Sequence, residues 1–296
     1  MQPFDYVVPQ DFREASVLLA SGEGHALALL GGTDLLVRIR AGLVRPELVV
    51  ELKKLPGMQV IRQDADGGLS IGAACSMNQV ANDGLVRERY DLLVQACNSV
   101  ASYQLRNRAT VGGNCCNGSP AADTAPALYC LGAVAEIFGP GGRRRVPIEG
   151  FFAGPGRTAL APGEFLTAIL LPPFSAGARG AFKKLGRTRA GDISIVSVAV
   201  CAFQATGDGR RKTTAPRGWR IGLGAVGPTP MRATRAEDSL ALDQSPAGVA
   251  EAAELAAQAA QPIDDVRASA TYRTAMVRVL TRRGIEAVLQ TLEGIA

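Results

Sequence analysis

The residues best suited to chemistry lie in one stretch, from Gln104 to Pro126, which reads QLRNRATVGGNCCNGSPAADTAP. Adjacent Gly112 and Gly113 carry no Cβ atoms, so successive backbone N–H groups can turn toward one negatively charged oxygen. Short side chains that could add hydrogen bonds flank this pair at Thr110, Asn114 and Ser119. The pattern predicts a loop, between ordered elements, that holds an anion.

A second glycine pair, Gly31-Gly32, follows an apolar run and precedes Thr33-Asp34. It lies after a predicted strand and before a predicted helix, where main-chain N–H groups and the helix dipole favour a phosphate. Taken alone, a Gly-Gly pair is more often only a tight turn. Taken together, the two loops would suit the two phosphates of a dinucleotide.

The side chains offer little acid–base or nucleophilic catalysis. A Ser-His-Asp triad would have to use the only histidine, His25, and the sequence contains no nucleophile elbow. The carboxylates Asp64 and Asp66 are typical of turn residues. We therefore predict no catalytic residue in this chain and expect its chemistry to come from a bound cofactor.

Two conspicuous motifs are poor guides to function. No C-x-x-C pair or histidine cluster accompanies Cys115-Cys116, so we predict no metal site and interpret the six cysteines as buried thiols. A literal G-x-G-x-x-G at 222–227 is followed by Pro228-Thr-Pro230, which cannot continue into the helix that a nicotinamide dinucleotide site requires. A strand and a turn explain these glycines better.

Hydrophobic periodicity and turn signals predict the elements that must position the two loops. At 296 residues, of which 47% are hydrophobic, the chain exceeds the usual size of a single core. Helices are predicted at Phe12–Ala20, Leu35–Ala41, Leu92–Ser102, Thr124–Leu131, Pro246–Ala259 and Ala268–Thr291. Strands are predicted at Ala26–Leu30, Leu48–Leu52, Leu69–Ala74, Val134–Phe138, Ala181–Leu185, Ile193–Phe203 and Trp219–Val226. The opening segment forms a βαβ-like unit, Ser76 to Gln79 has a capping-box pattern, and Pro172 to Gly177 is the best boundary.

Charge and hydropathy exclude several classes of partner. The net charge of +5 comes from scattered arginines and from basic clusters at 143–145 and 210–212, with no interleaved aromatic residues, so we predict no nucleic-acid binding. No apolar run approaches the ~20 residues of a membrane helix. The first residues have neither a basic segment nor an apolar signal core, so we expect a cytoplasmic protein.

With both loops in place, the sequence resembles the FAD-binding medium subunit of the molybdenum hydroxylases, the family of xanthine dehydrogenase and carbon monoxide dehydrogenase. The segment 30–35 resembles the first pyrophosphate loop of that family, and 110–114 resembles the second. The segments 143–169 and 182–187, the latter with Asp192-Ile193, resemble further parts of the same subunit, the last lying beside the flavin ring. The cofactor-binding residues that the resemblance implies are Leu30, Gly31, Gly32, Thr33, Asp34, Leu35, Thr110, Val111, Gly112, Gly113, Asn114, Ser119, Asp123, Leu166, Lys184 and Asp192.

The resemblance also implies an α+β fold. A two-part FAD-binding domain of the vanillyl-alcohol-oxidase (PCMH) type would be followed by a smaller α+β domain with a three-stranded antiparallel sheet and helices. The corresponding boundaries are 1–57 and 58–175 for the two subdomains, and 176–296 for a C-terminal domain of the carbon monoxide dehydrogenase flavoprotein type. Noncovalent FAD is expected, because neither glycine loop contains a histidine.

The function implied by the resemblance is electron transfer within a multisubunit enzyme. A large molybdopterin subunit would hydroxylate the substrate, and a small subunit with two [2Fe-2S] clusters would pass electrons to FAD on this chain and on to an external acceptor. We expect a dimer of heterotrimers. Two alternatives stay open: a self-contained flavin-dependent oxidase and a noncatalytic assembly subunit whose glycine loops only make turns. Neither the substrate nor the acceptor can be identified from this sequence.

Overall fold

The first part of the chain forms a small parallel sheet. In this computed structural model, which describes residues 2–22, 24–174, 177–188, 191–204 and 217–293, its elements are β1 (Asp5–Val7), α1 (Phe12–Ser21), β2 (Ala26–Leu29), α2 (Leu35–Arg40) and β3 (Leu48–Glu51). The strands pair in the order β1-β3-β2, both pairs parallel. The predicted βαβ unit is confirmed, and β1 is an addition that was not predicted. β2 is therefore an edge strand of this sheet, and the first glycine loop begins directly after it.

A five-stranded antiparallel sheet forms the second part, in the order β4-β5-β10-β6-β7. Its strands and the neighbouring β8-β9 hairpin are β4 (Ile61–Gln63), β5 (Leu69–Gly72), β6 (Val134–Gly139), β7 (Gly142–Pro147), β8 (Phe152–Gly154), β9 (Arg157–Thr158) and β10 (Phe165–Leu171). The helices are α3 (Met77–Asn82), α4 (Gly84–Arg89), α5 (Asp91–Ser99), α6 (Tyr103–Arg106), α7 (Val111–Cys116) and α8 (Ala125–Leu131). Ser76 and Gln79 form the predicted capping box at the start of α3.

The third part is an antiparallel sheet covered by helices. Its elements are β11 (Arg179–Leu185), β12 (Val196–Gln204), β13 (Arg217–Gly224), β14 (Met231–Arg232), α9 (Thr234–Leu242), α10 (Pro246–Ala259) and α11 (Ala270–Glu293). The three long strands match the predicted three-stranded sheet, to which the two-residue β14 adds a fourth. The α9 helix was not predicted. The basic cluster at 210–212 lies outside the described residues.

Gly222 belongs to β13, as its interpretation as a strand residue predicts. A Cβ atom built there would lie 2.3 Å from the carbonyl oxygen of Pro126 in α8. Glycine is needed at this position because α8 packs directly on the strand, and not because a nucleotide approaches it. The G-x-G-x-x-G pattern is therefore explained by packing between the second and third parts.

Two large hydrophobic cores hold these parts together. One lies under the five-stranded sheet and its helices and includes Ala199 and Cys201 from β12, and the other fills the space between the four-stranded sheet and α9 to α11. The second and third parts thus share apolar contacts across β12. Within the described ranges, no helix combines the length and apolar character that a membrane crossing requires.

Candidate functional site

A cavity of about 600 Å³ opens where all three parts of the fold meet. Its wall combines the loop after β2, the start of α7 and the turn that follows that helix, the first residues of β10, and Gly191 to Ile193 before β12. The predicted site residues in this wall are Leu30, Gly31, Gly32, Thr33, Asp34, Leu35, Thr110, Gly113, Asn114, Ser119, Asp123, Leu166 and Asp192. Val111, Gly112 and Lys184 lie behind it.

The loop from Gly31 to Asp34 presents main-chain donors. Among the described residues, none accepts a hydrogen bond from the N–H groups of Gly31, Gly32, Thr33 or Asp34. A Cβ atom on Gly31 would lie 2.1 Å from the carbonyl oxygen of Arg108, and Gly32 has a φ of +77°. Both glycines are thus required by the backbone, which brings four consecutive N–H groups to the cavity.

The segment from Thr110 to Asn114 differs from its prediction as a loop. It forms the first turn of α7, with Thr110 as the N-cap, whose side chain accepts a hydrogen bond from the Gly113 N–H. Gly112 lies inside this turn, and a Cβ atom built there would be 2.5 Å from the carbonyl oxygen of Ala73. The glycine pair lets a capped helix begin against a neighbouring strand.

The main-chain N–H groups that the sequence assigns to an anion in this segment are already engaged. The N–H groups of its first turn already have partners inside the protein: Val111 to the Cys75 oxygen (3.2 Å), Gly112 to the Ala73 oxygen (3.1 Å), Gly113 to the Thr110 hydroxyl (3.0 Å) and Asn114 to the Thr110 oxygen (2.9 Å). These bonds explain why Val111 and Gly112 lie behind the cavity wall. What this segment can offer a ligand are side-chain donors.

Asn114 is oriented by a residue that sequence reasoning missed. Its Oδ1 accepts hydrogen bonds from the Thr124 hydroxyl at 2.6 Å and from the Thr124 N–H at 3.3 Å. Because a main-chain N–H can only donate, the atom facing it must be Oδ1, and Nδ2 is left without an acceptor among the described residues. The amide NH₂ of Asn114 is therefore available to a ligand at the cavity wall.

Asn117 also lines the cavity and was not predicted. Its Nδ2 donates to Asp34 Oδ1 at 3.4 Å, which joins the two glycine-containing segments across 83 positions of sequence. Ser119 accepts a hydrogen bond from the Ala121 N–H at 3.2 Å, so its hydroxyl proton is free to donate elsewhere. Both glycine-containing segments therefore contribute polar groups to the cavity wall.

Asp123 is almost completely buried and lies between two residues from the third part of the chain. Its Oδ2 accepts from Lys184 Nζ at 2.7 Å, and its Oδ1 accepts from the Ser194 hydroxyl at 2.5 Å. Burial raises the pKa of Asp123, and the lysine and the hydroxyl oppose that shift. Lys184 also donates to the Ser99 carbonyl oxygen at 3.0 Å, which explains why it lies behind the wall.

Two further carboxylates of the wall, Asp192 and Glu164, are held by nearby donors. Asp192 accepts from the N–H of Arg187 at 2.6 Å and from its own neighbour Ile193 at 2.9 Å, and these bonds lower its pKa. Glu164 makes a bidentate pair with Arg144 at 2.6 Å, which lowers the pKa of Glu164. His25 is not part of this wall. The hydrogen bonds of Asp192 and Glu164 fix the structure of the wall and leave these carboxylates poorly suited to exchange protons with a ligand.

Two kinds of surface therefore share the cavity. Apolar side chains form much of its wall and include Leu27, Leu52, Val100, Leu160, Leu166 and Ile193. The N–H groups at 31–34 and the Asn114 amide are donors that find no acceptor in the part of the chain that the structure describes. A ligand with a flat, apolar ring system and an anionic diphosphate matches this combination, because the apolar wall can cover the ring while fixed donors bind the charge.

Comparisons with known proteins identify the relatives of this chain. Residues 2–174 match the family model of the FAD binding domain in molybdopterin dehydrogenase, and residues 180–288 match that of the CO dehydrogenase flavoprotein C-terminal domain. The chain is 32% identical to the carbon monoxide dehydrogenase medium chain of Hydrogenophaga pseudoflava over 288 residues, and this alignment covers 96% of each chain. It is 31% identical over 281 residues to the xanthine dehydrogenase FAD-binding subunit of Escherichia coli O157:H7, covering 94% of each.

Solved structures give the same result. The fold is similar to a chain of carbon monoxide dehydrogenase from Hydrogenophaga pseudoflava, with a TM-score of 0.90 at 32% identity over 98% of each chain. It is also similar to a chain of quinoline 2-oxidoreductase from Pseudomonas putida 86, with a TM-score of 0.86 at 29% identity over 98% of each. The likeness extends through all three parts of the fold.

Proposed function

The chain belongs to the FAD-binding medium subunits of the molybdenum hydroxylase family, and from that premise we propose that it relays electrons from [2Fe-2S] clusters on a partner subunit, through FAD, to an external acceptor. It is a subunit of an oxidoreductase and binds FAD, whereas molybdenum and iron–sulfur centres belong to partner subunits. The partners in this proposal are a large molybdopterin subunit and a small iron–sulfur subunit, assembled as a dimer of heterotrimers in the cytoplasm.

The observation that carries the proposal for the cofactor site is the run of free N–H groups from Gly31 to Asp34. These four donors find no acceptor among the described residues, and a diphosphate at the cavity wall would accept hydrogen bonds from them. The Asn114 amide and the Ser119 hydroxyl add donors from the second glycine-containing segment and the turn after it. We assign the pyrophosphate of noncovalent FAD to the space between these two groups.

When bound, FAD supplies the electron-transfer chemistry, since it can exchange electrons singly or in pairs. The protein's own residues bind and orient it. The 31–34 N–H groups hold negative charge, Asn114 is fixed by Thr124, and Leu30, Leu35 and Leu166 contribute apolar surface. We also propose that the chain divides into domains at 1–57, 58–175 and 176–296. Each of these three regions contributes residues to the cavity wall.

The cavity wall argues against a self-contained oxidase. Such an enzyme needs an acid or base that can reach its substrate, but Glu164 is paired with Arg144, and Asp192 accepts main-chain bonds. Asp34 accepts a hydrogen bond from Asn117 at 3.4 Å. Asp123 is paired with Lys184. In a relay subunit these groups need not exchange protons with an organic substrate, so their engagement is compatible with electron transfer.

Purification of the tagged chain from its native host tests the proposal. We expect a yellow protein with a flavin spectrum that copurifies with a molybdenum-containing large subunit and an iron–sulfur subunit. Electron transfer is tested by stripping FAD from that complex and supplying a donor on which the intact complex turns over. The iron–sulfur clusters should still become reduced, as followed by electron paramagnetic resonance, while reduction of the acceptor should stop.

Two results would contradict this proposal. Turnover of an organic donor by the isolated, FAD-loaded chain would support a self-contained oxidase instead. A chain that assembles with its partners but contains no flavin would support a noncatalytic assembly subunit. Restoration of acceptor reduction when FAD is added back is the control for damage during stripping.

A further inference from the structure

Asp123 is the one buried carboxylate of the cavity wall, among the described residues, whose partners both come from a different part of the fold. It precedes α8 in the second part, whereas Lys184 lies on β11 and Ser194 just before β12. Each carboxylate oxygen receives one of these donors, at 2.7 Å from Lys184 Nζ and 2.5 Å from Ser194 Oγ. Two donors on two oxygens fix the carboxylate plane against rotation.

The partners of Asp123 are themselves firmly held. Lys184 Nζ is also bonded to the Ser99 carbonyl oxygen at 3.0 Å, and Ser194 has no exposed surface. The residue after Ser194 is fixed from two directions, since the Ile195 N–H donates to the Leu185 oxygen at 2.8 Å and its own carbonyl accepts from Arg273 at 2.8 Å. The strand pairing of the third part therefore determines where both donors lie.

We propose that Lys184 and Ser194 are positioning residues that orient the Asp123 carboxylate at the cavity wall, where its remaining lone pairs accept hydrogen bonds from hydroxyl groups of FAD. This inference rests on the proposed function, and it changes the role predicted for Lys184 from contact with the flavin to support of Asp123. It makes the third part of the chain a component of the cofactor site that acts through a residue of the second part.

The net charge of the cluster is consistent with this role. An ionised Asp123 next to an anionic cofactor would oppose binding, and the Lys184 ammonium ion cancels that charge at 2.7 Å. Two other carboxylates of the wall, Glu164 and Asp192, have their own arginine partners in Arg144 and Arg187, and the third, Asp34, accepts from the Asn117 amide. Lys184 is thus committed to Asp123 and the Ser99 carbonyl.

The test measures the FAD dissociation constant of the full-length chain after flavin removal, by quenching of flavin fluorescence. We expect Ser194→Ala and Lys184→Met each to weaken FAD binding by about 10-fold or more, since each removes a hydrogen bond to a buried charged group. Lys184→Arg should keep most of the affinity. Lys183→Met is the matched control, because successive side chains of β11 point to opposite faces of the sheet.

A double-mutant cycle separates positioning from general support of the fold. In an Asp123→Asn background, Lys184→Met should change FAD affinity by no more than about twofold, because the residue through which Lys184 acts has been removed. Melting temperatures of the flavin-free variants give the stability effect separately. A lysine that acts independently of Asp123 would lower affinity equally in both backgrounds, and one that only stabilises the fold through Asp123 would lower the melting temperature without lowering the FAD affinity of the folded chain.

Two outcomes overturn the inference. Unchanged FAD affinity in both Ser194→Ala and Lys184→Met, with a wild-type chain that binds FAD, would show that the cluster does not serve the cofactor. An undiminished effect of Lys184→Met in the Asp123→Asn background would show that Lys184 contacts the cofactor directly or supports the fold alone. Failure of the proposed function would look different, because the wild-type chain itself would then bind no FAD or relay no electrons.

Discussion

The two glycine pairs of this chain look alike in sequence and differ in what they present to the cavity. Both pairs are flanked by a threonine and by an Asp or Asn, but only the N–H groups of 31–34 lack acceptors among the described residues. In the 110–114 segment the corresponding donors are bonded to Cys75, Ala73 and Thr110. In the proposed site, the first segment would bind through its backbone, and the second through side chains that a short helix presents.

The difference shows that a Gly-Gly pair does not by itself create an anion site. What decides is whether a carbonyl oxygen lies within reach of the exposed N–H groups. Ala73 lies beside Gly112 because β5 ends there, whereas Gly31 packs against the carbonyl of Arg108 and its N–H has no acceptor among the described residues. Glycine is needed in both segments for close backbone approach, but only the 31–34 segment has main-chain N–H groups that find no acceptor among the described residues.

The largest expected effect is that of Gly31→Ala. The new Cβ atom would lie 2.1 Å from the Arg108 carbonyl oxygen, so the loop must shift and its N–H groups move with it. Losing two charge-assisted hydrogen bonds to the pyrophosphate predicts a fall in FAD affinity of about 100-fold or more. Flavin fluorescence titration measures it.

Gly84→Ala is the control for Gly31→Ala, because a Cβ atom at Gly84 meets nothing within 4 Å and lies in a helix. Its FAD affinity should equal that of the wild type. If Gly31→Ala also bound FAD normally, the assignment of the pyrophosphate to the 31–34 loop would be wrong.

Gly112→Ala should affect stability more than cofactor binding. Its Cβ atom would lie 2.5 Å from the Ala73 oxygen and 2.6 Å from the Ala73 Cβ, so the start of α7 must move away from the end of β5. Overpacking of this kind predicts a loss of about 1 to 3 kcal/mol in the free energy of unfolding. Urea denaturation of the flavin-free chain measures it.

The comparison with Gly31→Ala sharpens this prediction. At temperatures where Gly112→Ala is fully folded, its FAD affinity should fall far less than that of Gly31→Ala. A larger loss of affinity in Gly112→Ala than in Gly31→Ala would reverse the roles that we give to the two segments.

A third prediction concerns the side-chain donor of the second segment. Thr124→Val removes the hydroxyl that bonds Asn114 Oδ1 at 2.6 Å and frees the amide to rotate. We expect FAD affinity to fall by about 10-fold, the equivalent of one hydrogen bond to a charged group. Thr124→Ser keeps the hydroxyl and should bind FAD nearly as well as the wild type. Equal affinities for the valine and serine variants would contradict the orienting role.

Much of the fold could be predicted from local sequence. Apolar runs bounded by glycine and proline predicted β2, β5, β6 and the three long C-terminal strands. The capping-box pattern from Ser76 to Gln79 predicted the start of α3. The first glycine loop was found by its place between β2 and α2. These features depend on neighbours within a few residues, which is why the sequence alone was sufficient.

The rest of the site depends on residues far apart in the chain. The α7 helix contains two glycines, which have low helix propensity, and it forms because Thr110 caps it and the strand end at Ala73 accepts its N–H. The Lys184–Asp123 pair spans 61 positions. One signal could have predicted α7: a threonine three residues before Gly113 is an N-cap pattern.

The smallest expected effect comes from the cap of that helix. Thr110→Val removes the acceptor of the Gly113 N–H, at 3.0 Å, and should lower the free energy of unfolding by about 1 kcal/mol. It also frees the Gly113 N–H beside the cavity. The 31–34 loop does not move in this variant, and one N–H group is added at the cavity. FAD affinity should therefore stay within about threefold of the wild type, which is the size of effect that one weak hydrogen bond has.

Thr110→Ser is the control, since serine caps helices as well as threonine does, and its unfolding free energy should match that of the wild type. Chemical denaturation and FAD titration of the three proteins decide between two views of the second glycine segment. If Thr110→Val lost FAD affinity as severely as Gly31→Ala, the capped turn itself would be part of the pyrophosphate site. The two segments would then act alike, and the distinction between backbone and side-chain donors would fail.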